Sequence, residues 1–164
     1  MKYFKDIKKK IEWEDYYNPD FNWDNWKFYK NNKLSKDFIR EFKKKVNWAY
    51  ISTHQKLSED FIREFQDDVY WLYISKYQTL SEDFIREFQK KVNWTYISNY
   101  QILSESFMSE FKNKVDWYNI SIKQKLSENF IREFKNKVSW KYIAYHQTLS
   151  EDFKEEFKEE LNIS

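Results

Sequence analysis

An arginine recurs at Arg40, Arg63, Arg86 and Arg132, and a glutamate follows each one at Glu41, Glu64, Glu87 and Glu133. Guanidiniums at a fixed interval can grip a row of carboxylates or phosphates, because their planar fork matches both. They can also simply pair within a helix, as Glu59–Arg63, Glu82–Arg86 and Glu128–Arg132 would at i,i+4, each pair stabilising by roughly 0.2–0.5 kcal/mol. A second recurring set is aromatic. Tyr50, Tyr73, Tyr96 and Tyr142 stand four residues before His54, Tyr77, Tyr100 and His146. Tyr supplies large contact area at low entropic cost, so this set suits partner recognition; packing between adjacent helices is the plainer use. Both classes of residue point to binding. Catalysis has little to draw on, with two His and no Cys. Thiol chemistry and Cys-type zinc sites are excluded, and no cofactor, metal site or enzymatic activity is expected.

These residues recur because the chain repeats every 23 residues. Leu57-Ser58-Glu59-Asp60-Phe61-Ile62-Arg63-Glu64-Phe65 returns at Leu80 to Phe88 and nearly unchanged at Leu126 to Phe134. Counting each repeat from its Leu, five full ones begin at Leu34, Leu57, Leu80, Leu103 and Leu126, and a partial sixth begins at Leu149. Residues 3–13 line up with 38–48, and Tyr16 to Lys33 reads as a contracted, irregular repeat containing Pro19. A period of this length marks stacked supersecondary units.

Each repeat reads as two short helices. Ser35, Ser58, Ser81, Ser104, Ser127 and Ser150 are N-cap types, mostly followed by acids that suit the helix dipole. Phe61, Phe65 and Val69 then share a face at i, i+4, i+8. The second helix starts at Asn47, Asn93, Asp116 or Ser139, with Tyr70 breaking the cap rule in its repeat. A rival with one strand per repeat, like leucine-rich repeats, draws on the alternation Val92, Trp94, Tyr96, but the leucine spacing it requires is missing. The expected fold is an all-α helical-repeat solenoid of two-helix units with a polar C-terminal cap. The cap reading rests on the sixth position, which is Ile39, Ile62, Ile85, Met108 and Ile131 and then becomes Lys154. One domain is expected over 1–164: degenerate units in 1–33, five repeats in 34–148, and a capping half-repeat in 149–164.

Three further sets read as structural. The glutamate at position eight is present in all six repeats, at the edge of the apolar stripe. A bond to the neighbouring repeat is expected for it, from a Trp indole N–H or a helix N-terminus. Trp48, Trp71, Trp94, Trp117 and Trp140 could stack on bases, but they share a face with Ile51, Ile74, Ile97, Ile120 and Ile143 and read as core. Gln55, Gln78, Gln101, Gln124 and Gln147 lie near helix ends, where an amide can satisfy backbone groups the helix leaves unpaired.

The whole composition agrees. Aromatics make up 22% of 164 residues with a net charge of +2, which favours a folded chain without a strong nucleic-acid field. Gly is absent, which removes phosphate-binding glycine loops. Residues 2–10 carry five Lys against one Asp, and 151–160 carry six acids against two Lys. No signal peptide is visible, and no segment approaches the roughly 18 apolar residues of a membrane span.

The Leu-Ser-Glu-Asp-Phe-Ile-Arg-Glu-Phe block with Val-Asn-Trp-x-Tyr-Ile-Ser resembles repeat proteins encoded by giant DNA viruses of amoebae, well over residues 34–161 and poorly before them. The resemblance implies an intracellular protein made in an infected host, in the host cytoplasm, and carries no assigned chemistry. The expected function is a non-enzymatic α-solenoid presenting an extended face to a protein partner. It would be a monomer or weakly self-associating. A repeat protein binding single-stranded nucleic acid, or a virion assembly component, is the alternative.

Overall fold

The first helix of a repeat begins where its serine caps it and stops after six residues. In a computed structural model, residues 16–161 are described. The first helices are α2 (Lys36–Glu41), α4 (Glu59–Glu64), α6 (Glu82–Glu87), α8 (Glu105–Glu110), α10 (Glu128–Glu133) and α12 (Glu151–Glu156). In each, the Ser Oγ accepts from the backbone N–H three residues on, as Ser81 does from Phe84 at 3.2 Å. The next Phe leaves helical geometry, with φ −104° and ψ 27° at Phe88. One further turn closes from Val92 N–H to Phe88 C=O at 3.1 Å. That turn keeps the valine on the apolar face, so Phe84, Phe88 and Val92 are all buried although only the first lies in the helix.

The second helices are α3 (Trp48–His54), α5 (Trp71–Tyr77), α7 (Trp94–Tyr100), α9 (Trp117–Lys123) and α11 (Trp140–His146). Asn47, Asn93 and Asp116 cap α3, α7 and α9 through their side chains. Tyr70 makes no such bond, as its type dictates. Ser139 has the same backbone conformation but makes no side-chain cap bond either, against expectation. Two helices lie outside this pattern, α1 (Trp26–Asn31) and α13 (Lys158–Leu161). All described regular structure is helical, so the one-strand-per-repeat alternative is overturned.

The chain forms two compact units, residues 1–78 and 79–164. In the first unit α1 packs on α3 and α3 on α5; in the second, α7, α9, α11 and α13 pack in that order. Each unit is thus a helical-repeat stack in which second helices follow one another. The contracted N-terminal segment joins the first stack through α1, which takes the place of a second helix. Ahead of it, Tyr16 is fully buried against Phe21, Phe28 and Phe38. The repeat-like match over residues 3–13 and the basic run at 2–10 lie outside the described residues.

The core repeats as the sequence does. Phe61–Phe65, Phe84–Phe88, Phe107–Phe111, Phe130–Phe134 and Phe153–Phe157 each place ring centroids 4.7 Å apart. The sixth-position residues Ile39, Ile62, Ile85, Met108 and Ile131 are at most 2% exposed. Lys154, in the same register, keeps 39% of its side chain exposed and pairs with Glu151 at 2.6 Å. The last described repeat therefore carries the polar cap that its lysine predicts.

Candidate functional site

Absence of glycine leaves the helix ends with a problem, because the left-handed C-cap that usually satisfies the last carbonyls favours Gly. The second helices end on extended residues instead, Gln101 at φ −96°, ψ 151° and Gln124 at φ −93°, ψ 146°. Their free carbonyls are taken by the glutamine of the following repeat. Gln124 Nε2 donates to Ser98 C=O at 3.1 Å and Gln101 C=O at 2.8 Å, while its Oε1 accepts from Leu103 N–H at 3.1 Å. Gln78 does the same with Ser52, Gln55 and Leu57, and Gln147 with Ser121, Gln124 and Leu126. Gln55 closes the series on Tyr29, Asn32 and Leu34.

Helix starts are handled in the same way. Ser98 Oγ donates to Trp94 C=O in its own helix and accepts from Asp116 N–H of the next repeat at 2.9 Å. Ser52 and Ser121 accept likewise from Tyr70 and Ser139. Tyr29, 23 residues before Ser52, places its hydroxyl in that role and accepts from Asn47 N–H at 2.8 Å. Burial pushes the Tyr29 phenol up to about 12. At the first helices the donor is the capping serine itself. Ser104 N–H donates to Glu82 at 2.6 Å and Ser150 N–H to Glu128 at 2.7 Å, and Ser127 N–H donates to Glu105. The bond to Ser150 holds the Glu128 carboxyl below its usual range.

The arginines are engaged. Arg40 Nε and an Nη meet both oxygens of Glu64 at 2.8 and 2.7 Å. Arg86 meets Glu110 at 2.8 Å, and Arg132 meets Glu156 at 2.8 Å. Each therefore binds the position-eight glutamate of the following repeat. Arg40 and Arg86 are raised and Glu64 lowered, first by these hydrogen bonds. The i,i+4 pairing expected from sequence is the longest contact, 3.9 Å for Glu59–Arg63 and 3.8 Å for Glu82–Arg86 and for Glu128–Arg132. The acid at i−3 lies closer, Asp60 to Arg63 at 3.0 Å and Asp83 to Arg86 at 2.8 Å. Glu41, with no repeat of regular length before it, accepts from the Tyr17 hydroxyl.

So the position-eight glutamate does bond its neighbour, but to an arginine rather than to an indole. The indole N–H stays within its own repeat, Trp94 donating to Gln89 C=O at 3.0 Å and Trp117 to Lys112 C=O at 2.9 Å. The rings lie over the next repeat, Trp94–Phe111 at 4.9 Å and Trp117–Phe134 at 4.8 Å between centroids. They are half-buried, as inter-repeat packing requires.

What faces outward is the aromatic set of the second helices. Tyr50, Tyr73, Tyr96 and Tyr142 are half-buried, and Tyr77 and Tyr100 are 48% and 49% exposed. Each first member lies near its i+4 partner, Tyr50–His54 at 6.2 Å, Tyr96–Tyr100 at 5.8 Å and Tyr142–His146 at 6.1 Å. His54 also lies beside Trp26, and burial followed by Lys30 lowers its pKa. The fourth repeat substitutes Asn119 and Lys123, and Asn119 accepts from Asn99 Nδ2 at 3.0 Å. Tyr118 fills part of the gap, donating its hydroxyl to Tyr142. The two histidines stand in different units.

Sequence reasoning missed the acceptor at position three and the buried serine at position nineteen. Their shared signal is regular recurrence of a polar residue beside the apolar stripe. Among the described residues, no group of three or more His, Cys, Asp and Glu could hold a metal, and no helix is long and apolar enough to cross a membrane. No family model, curated protein or solved structure matches the chain.

Proposed function

We propose that the chain is a non-enzymatic helical-repeat scaffold that presents the outward side of its second helices to a protein partner. One observation carries this reading. The polar residues that recur most strictly are engaged between repeats, while the outward position near the end of the second helices varies: half-buried His54, then exposed Tyr77, Tyr100, Lys123 and His146. A surface whose residues change from repeat to repeat on a constant frame suits recognition, since the frame tolerates the change. In this reading the protein works in the cytoplasm as a monomer or weak self-associate. The host cytoplasm of an infected cell is the setting that the repeat block's resemblance implies.

Capture from lysate by the immobilised chain, with and without nuclease, tests it. Partner proteins should be retained after nuclease and lost with a Tyr73→Ala/Tyr77→Ala variant of unchanged helicity. Capture abolished by nuclease would support the alternative, single-stranded nucleic acid. That alternative is favoured by the exposed lysines of the turns between helices, Lys90, Lys112, Lys135 and Lys137. It loses the arginines, because each is already bonded to carboxylates. It predicts binding that weakens steeply with salt.

A further inference from the structure

In the second unit, the second helices of the fourth and fifth repeats end at a cleft of about 300 Å³, lined by Ile122, Lys123, Lys125, Leu126, His146 and Thr148. Gln124 and Gln147 also reach it, with their amides engaged on backbone groups. None of the lining residues is acidic. Both lysines are exposed, and among the described residues neither pairs with a carboxylate. Lys123 stands where the other repeats carry His54, Tyr77, Tyr100 and His146, and only the fourth repeat has lysine at both this position and the one two residues on. Within the second unit the cleft therefore puts lysine where the adjacent repeats carry Tyr100 and His146.

One repeat earlier, on the helix that packs against α9, Tyr100 and Ile102 hold the register positions of Lys123 and Lys125. Ile102 is 95% exposed, the most exposed large apolar side chain of the described residues. We infer that this cleft binds an acidic stretch of a partner polypeptide, with a carboxylate between Lys123 and Lys125 and an apolar side chain over Ile102. Charge complementarity selects the acid, and the bare isoleucine suits an apolar side chain beside it in the same polypeptide. A free phosphate ion brings negative charge to the lysines but nothing to cover Ile102, and oligothymidylate, whose bases could cover it, is the competing occupant that the test includes. The inference rests on the scaffold reading and names the chemistry of its partner at one place.

The test is a titration of the ¹⁵N-labelled full chain, followed by amide NMR. The probes are a capped peptide alternating Leu with Asp and Glu, its Asn/Gln counterpart, oligothymidylate and inorganic phosphate. The acidic peptide should move the amides of residues 100–102, 122–126 and 146–148. Its affinity should fall by about tenfold or more in Lys123→Glu/Lys125→Glu, as expected for reversing interfacial charge. Ile102→Ser should weaken it less, and the Asn/Gln peptide should bind poorly. All three substitutions are at exposed positions, and the free-state spectrum reports folding. Unchanged affinity in the double variant, shifts confined to other residues, or no shifts with the acidic peptide would overturn the cleft assignment. Oligothymidylate or phosphate saturating the same amides as tightly would also overturn it. In each of these cases the lysate capture still decides the scaffold reading separately.

Discussion

Gln124 shows how much one side chain does in this chain. It closes two carbonyls of the preceding repeat and one amide of its own, all in buried surroundings. Replacing it with Ala leaves those groups unpaired, so Gln124→Ala should cost about 2–4 kcal/mol in urea denaturation; a loss well under 1 kcal/mol would mean that water replaces the amide. The Arg–Glu pairs belong to the other extreme. They are more than a third exposed, so the Arg86/Glu110 double-mutant cycle should give at most about 1 kcal/mol, weakening in salt. Glu64 and Glu128 are held below their ordinary value of 4.5, so what they contribute is complete above that value and is lost as pH falls through their lower folded values. His54, lowered by burial, works in the same direction, because protonating it opposes folding. Thermal midpoints should thus fall on acidification, and Glu128→Gln should flatten the fall below about pH 4.5. The helix-end role of the glutamines was legible from their place near each second-helix end. That the amide crosses to the preceding repeat was not, because a crossing depends on stacking register.

At the scale of elements, helix starts were written plainly and helix ends were not. Serine and asparagine caps mark starts by their own chemistry. The first helices stop after six residues with no glycine or proline to announce it, because the following Phe is fixed by packing rather than by local preference. Trp94→Phe keeps a ring over Phe111 and removes one hydrogen bond, so it should cost about 1 kcal/mol, whereas Trp94→Ala should cost about 3. The sixth position separates interior from cap. Ile131 is fully buried, so Ile131→Ala should cost about 2–5 kcal/mol and Ile131→Lys more. Lys154→Ile at the equivalent half-exposed position should change stability by no more than about 0.5 kcal/mol. Equal effects at the two positions, measured by denaturant titration, would remove the distinction. The irregular N-terminal repeat was legible only as irregular. Tyr29 and Tyr17 replace a serine and an arginine by position, and that substitution is visible only once α1 is seen packed on α3.

For the whole molecule, the sequence carried the fold class because a period of 23 repeats every local signal. Caps, apolar spacing and polar recurrence agree from repeat to repeat apart from local departures such as Tyr70, Ser139 and Asn119, and such agreement across levels is what a well-specified fold requires. The outward face was less legible, since aromatic residues look alike whether they pack or recognise. Within each unit, consecutive repeats are locked by side-chain bonds to backbone groups at helix ends and in the connecting segments. Amide hydrogen exchange measures this directly. The N–H groups of Leu57, Leu103 and Leu126 lie in connecting segments, and each donates to a glutamine of its own repeat. Those of Asp116 and Ser139 donate to a buried serine of the repeat before. All five should exchange as slowly as the helical amides beside them. Exchange at the rate of free loop amides, while the helices stay protected, would contradict the account.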